Sequence, residues 1–93
     1  MLKNIAISVM GKDRPGIVAA ISKILFETGC NIEDSSMTLI GNEFAMILIV
    51  DLPQGMTVEF VKKSLEETGS LMGLSIFVRA IEHSEIKHEK REY

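Results

Sequence analysis

The residues best suited to chemistry lie in one short segment, Gly11-Lys12-Asp13-Arg14-Pro15-Gly16-Ile17-Val18. Gly11 and Gly16 lack side chains, so a ligand can approach the backbone closely. If a helix begins here, its first turn offers unpaired N–H groups and a partial positive charge, which favour a carboxylate or phosphate. Asp13 can receive an ammonium group, and Arg14 can hold an anion with two parallel hydrogen bonds. A site with both signs within two residues suits a zwitterion such as an amino acid. Residue types alone leave a second reading open, in which Asp13 caps the helix and Pro15 merely starts it.

The other reactive residue types suggest little. Cys30 is the single cysteine, so no internal disulfide can form, as suits a reducing cytoplasm. It follows a helix end, where the dipole disfavours a thiolate, and reads as a buried, inert thiol. His83 and His88 sit in a polar tail without further ligands in a fixed frame, so neither a metal nor a cofactor is expected. No Ser, Cys or His is placed as a nucleophile beside a base, and no enzyme is expected. The net charge of −3 and the lack of a basic stripe disfavour direct nucleic-acid binding. Phe44 and Phe77, the strand aromatics on which bases could stack, read as core. The longest apolar run, Phe44 to Val50, is too short to span a bilayer, and the first residues lack the pattern of a signal peptide.

The elements that must position the segment follow from hydrophobic periodicity. Ile5, Ile7 and Val9 alternate with Ala6, Ser8 and Met10, a strand that stops at Gly11. Ile17, Val18, Ile21, Ile24 and Leu25 form the apolar stripe of a helix started by Pro15 and ended by Gly29. Ile32 to Ile40 reads as a second strand, with Met37 and Leu39 on one face and Ser36 and Thr38 on the other. Gly41-Asn42 makes a tight hairpin, since both residues accept positive φ. Phe44 to Val50 is a third strand. Thr57 caps a second helix with Val58, Val61, Leu65 and Met72 buried and Phe60 beside them, ended by Gly69 or Gly73. Ile76, Val78 and Ala80 belong to a fourth strand. Met10, Met37, Met46 and Met72 read as core gap-fillers.

The 93 residues fit one domain, expected over 1–82, followed by a charged tail or linker over 83–93. The order β-α-β-β-α-β predicts an α+β, ferredoxin-like sandwich: a four-stranded antiparallel sheet in the order 4-1-3-2 with both helices on one face. The first and third strands are the most apolar and belong in the middle. The other sheet face would then show Ala6, Met10 and one apolar set of the third strand. An open apolar face predicts self-association or a second domain against it.

The stretch Gly11-Lys-Asp-Arg-Pro-Gly-Ile-Val18, followed by Gly29-Cys-Asn-Ile-Glu-Asp-Ser-Ser-Met-Thr38, resembles the opening half of an ACT domain. The resemblance runs from residue 3 to 82. It is closest to the branch found in glycine-cleavage-system transcriptional repressors and at the start of formyltetrahydrofolate deformylases. It implies a regulatory domain that binds a small effector, often an amino acid, between two copies. By resemblance the ligand positions are Asp13, Arg14, Pro15, Gly16, Ile17, Val18 and Asn31. The amide of Asn31 offers donor and acceptor, although a turn residue there is an equal alternative. Repressors of that type carry two such domains in tandem, and this chain has room for one. Either two chains replace the tandem, or the segment belongs to a longer protein. Acylphosphatases share the element order and use a loop Arg with a strand Asn, but their surrounding loop pattern does not match. A pure dimerisation or docking module without a small ligand remains the alternative.

Overall fold

The computed structural model describes residues 3–81; the expected tail from 83 to 93, with His83 and His88, lies outside the described residues. The elements are β1 (Lys3–Lys12), α1 (Ile17–Glu27), β2 (Asn31–Ile40), β3 (Glu43–Leu52), α2 (Val58–Met72) and β4 (Leu74–Ile81). All pairings are antiparallel, and the sheet order is β2-β3-β1-β4, as the apolar content of the strands predicts.

Alternation decides which face is dry. Ile5, Ile7 and Val9 of β1 are fully buried, and every second residue of β3 from Phe44 to Leu52 is buried. Leu74 and Ile76 extend this face into β4. Ile17, Ile21 and Leu25 of α1 close on it, together with Val61 and Leu65 of α2. The α1 triplet and the α2 pair both fall at the i, i+4 spacing that makes one stripe.

The helix boundaries are set by backbone chemistry. α1 begins at Ile17 with Gly16 as its N-cap, not at Pro15. At its other end the N–H groups of Thr28, Gly29 and Cys30 bond carbonyls of the last turn. The Thr57 hydroxyl accepts the Phe60 N–H and caps α2, as expected. α2 continues past the buried Gly69 and stops at Gly73, whose φ of 70° is left-handed. Both strands of the hairpin reach its two-residue turn, where Gly41 has positive φ and Asn42 does not.

The structure corrects several burial expectations. Val18 lies on the flank of α1 and is exposed, off the buried stripe. Met10, Met37 and Phe77 are also exposed, not core, and Phe60, beside the α2 stripe, is exposed as well. Cys30 is half-buried. These residues obey the predicted periodicity, but nothing in a single chain covers the faces they occupy. β2 is the extreme case, because all ten of its residues are exposed. The principal extents of 38 × 35 × 16 Å describe a slab one sheet and one helix layer thick.

Two substitutions separate packing from backbone strain. Leu65→Ala should lower unfolding free energy by about 2–5 kcal/mol through lost burial and a residual cavity. Gly73→Ala, with nothing within 4 Å of the new Cβ, should cost only about 1 kcal/mol from the left-handed φ. Urea unfolding at fixed protein concentration measures both, and equal costs would contradict this assignment.

Candidate functional site

The turn between β1 and α1 is anchored at both sides. The Asp13 N–H donates to the Asn42 carbonyl at 2.7 Å, fixing the turn to the β2–β3 hairpin. Arg14 Nη1 donates to the Met72 carbonyl at 3.1 Å, fixing it to the end of α2. The α2 C-terminus has no basic residue in its last turn, so the Arg14 guanidinium supplies the cation that its dipole favours. Between these anchors lies a cleft of about 390 Å³ lined by Lys12, Asp13, Arg14, Met72 and Gly73.

The N-terminus of α1 answers a question the residue types leave open. Its N-cap, Gly16, has φ 89° and ψ 2°, and no side chain caps the helix. The first turn also holds no acidic residue. Asp13 is therefore not the helix cap; it is exposed and lines the cleft instead. A Cβ at Gly16 would meet nothing within 4 Å, so it is the left-handed backbone, not crowding, that calls for glycine.

The expected ligand residues divide into three groups. Asp13, Arg14, Pro15 and Gly16 are exposed together in the turn. Ile17 is 2% exposed and belongs to the core, so only its backbone adjoins the turn. Val18 presents its side chain on the α1 flank. Asn31 stands apart. It pairs with Asp51, whereas the turn adjoins the hairpin beyond the Ile40–Glu43 pair. The ten residues of β2 separate the two ends by roughly 30 Å. A single chain does not bring Asn31 to the turn.

Three features escape a reading of the sequence. Met72 and Gly73 form one wall of the cleft although they lie far along the chain, and only the fold brings them there. At the opposite end of the sheet, Asn4 is 1% exposed, between Asp51 of β3 and Ile81 of β4. Its Nδ2 donates to Glu33 Oε2 at 2.7 Å and to Asp51 Oδ1. The register shift between Ile32 and Asp34 leaves Glu33 as the extra residue of an irregular strand, beside Asn4. Among the described residues, no group of three or more His, Cys, Asp or Glu side chains could hold a metal ion. No helix of the described residues is long and apolar enough to cross a membrane.

A β-α-β-β-α-β slab with this turn defines a class of small domain, and comparison with known proteins gives the class its name. The ACT domain family model matches residues 3–79, and the chain belongs to that family. A UPF0237 protein of Methanocaldococcus jannaschii is 44% identical over 80 residues, covering 84% of this chain and 88% of its own. The glycine cleavage system transcriptional repressor of Escherichia coli is 44% identical over 46 residues, which is 50% of this chain and 24% of the repressor. Among solved structures, an ACT domain protein from Streptococcus pneumoniae superposes with a TM-score of 0.77 at 29% identity, covering 86% of this chain and 91% of that one.

The Asn4 bridge gives a stability prediction. Asn4→Leu removes the buried amide shared by the exposed Glu33 and half-buried Asp51 carboxylates and leaves those carboxylates close together without it. The expected loss is about 2–4 kcal/mol in urea unfolding, larger than for an exposed polar residue. A loss below about 0.5 kcal/mol would show that the bridge contributes little.

Proposed function

We propose that this chain is a non-catalytic regulatory module that binds a small amino acid at the β1–α1 turn, in an assembly of two or more copies. The observation that carries the reading is the Lys12-Asp13-Arg14 turn, which lines a cleft and runs on within the chain to the uncapped N-terminus of α1. The free amides and cations suit a carboxylate, and Asp13 suits the ammonium group of the same ligand. Membership of the ACT family, with the identity to a glycine cleavage repressor over half the chain, supports a regulatory ligand-binding domain. It also makes glycine the first effector to try.

Asn31 enters this site only from a second copy. The free edge of β2 carries no Lys, Arg or Pro that would discourage pairing. Antiparallel pairing of β2 with the same strand of a second chain sets the Asn31 end of one against the Ile40 end of the other. That end adjoins the partner's β1–α1 turn. The effector would then lie between copies, with the turn from one chain and Asn31 from the other. The regulated target would be a separate protein or domain reached through this assembly.

A docking module without a small ligand is the second reading. It is favoured by the Arg14–Met72 bond, which already occupies part of the guanidinium, and by the complete exposure of β2.

Thermal unfolding with each of the twenty common amino acids at millimolar concentration separates the two. A ligand at about 100-fold over its Kd stabilises the folded state by about 2.7 kcal/mol. For a domain this small, that is a Tm rise of roughly 10 °C or more. The rise should vanish in Asp13→Ala and shrink in Asn31→Ala. No response to any amino acid would overturn effector binding and leave the docking module.

A further inference from the structure

The sheet face turned away from the helices carries a pattern that the turn does not use. The strand register lines up its side chains in transverse rows. One row reads Arg79, Ala6, Ile49, Asp34 from β4 to β2. The next reads Phe77, Ser8, Ile47, Ser36, and the third has Met10 beside Ala45 at its centre. Met10, Ile47 and Phe77 are 53%, 54% and 68% exposed, so the face is apolar and bare at its middle. Bare apolar patches of this kind mark interaction surfaces.

We propose that this face packs against the same face of a second copy of the chain, about a two-fold axis parallel to the strands. That rotation lays β1 over the partner's β3 and β4 over the partner's β2, so each row meets itself reversed. Ala6 then faces the partner's Ile49, Ser8 faces the partner's Ile47, and Met10 faces the partner's Ala45. At the centre of each of these three rows a large side chain meets a small one, as close packing of two sheets requires. The charges follow the same rule. Arg79 at one edge faces the partner's Asp34 at the other, twice by symmetry. An acid and a base at opposite ends of one row are complementary to that row reversed, which identifies the occupant as a second copy. The perpendicular axis instead stacks Ile47 on the partner's Ile47 and sets Arg79 over the partner's Ser75, without a charge pair. This interface is separate from the β2 edge and does not depend on effector binding.

The charge pair supplies a test that no single-chain role can imitate. Within one chain Arg79 and Asp34 are three strand spacings apart, roughly 14 Å, too far for strong coupling. Among the described residues the Asp34 carboxylate accepts a local hydrogen bond, from the Ser35 N–H at 2.9 Å. Sedimentation equilibrium of the full chain should show self-association. Arg79→Glu and Asp34→Arg should each weaken it by at least about tenfold, and the double variant should restore it to within about threefold. Ile47→Glu should halve the mass of the assembled species. All three positions are exposed, so far-UV circular dichroism should confirm an unchanged fold. A single-chain mass for the unaltered protein at about 100 µM would overturn the interface. So would association indifferent to Ile47→Glu, which would place the contact at the β2 edge alone. A double variant no stronger than the singles would overturn the two-fold parallel to the strands.

Discussion

Burial of the alternating rows of β1 and β3 beneath two helices is the interaction on which the rest of this molecule depends. Ile5, Ile7 and Val9 lie at the centre of that contact, with Ile21, Leu25, Val61 and Leu65 closing on the dry face. Two helices of 11 and 15 residues are enough to cover this centre but not the whole sheet. Met10, Ile47 and Phe77 of the far face and the whole of β2 stay exposed. A domain of this size has little apolar burial to spare. Covering the remaining apolar surface by association would therefore add to a thin core as well as build an interface.

The same packing positions the turn. β1 must run through the centre of the sheet to be buried, so its end emerges between the hairpin and the close of α2. Two hydrogen bonds, one to Asn42 and one to Met72, then hold Asp13 and Arg14 at the mouth of a cleft. Arg14 serves two ends at once, since it satisfies an α2 carbonyl and stands beside an anion-favouring helix start. An effector carboxylate would compete with, or add to, that carbonyl. In this way the proposed site is coupled to the helix layer.

Much of this was legible in the sequence because period-two and period-3.6 patterns report which side chains share a face. They placed the elements, the strand order, Thr57 as a cap and the Asp13–Val18 segment at a helix start. The same patterns do not say whether a face is covered, which is why Met10, Met37 and Phe77 read as core and are exposed. The wall of the cleft was hidden because Arg14 and Met72 are 58 residues apart and meet through the chain's return along α2. Asn4 gave no signal, since its importance comes from Glu33 and Asp51 across two strands. The distance between Asn31 and the turn was equally invisible, because motif resemblance carries residue identity and no distances.

A site shared between copies requires the outer edge of β2 to be occupied when the protein is assembled. Residue-resolved hydrogen exchange of the β2 amides that point away from β3 tests this directly. At concentrations where the protein self-associates, those amides should exchange at least about a hundredfold more slowly than open-chain amides, and dilution should remove the protection. Open-chain exchange at every concentration, with β1 and β3 still protected, would leave Asn31 exposed at a free edge and contradict a shared site.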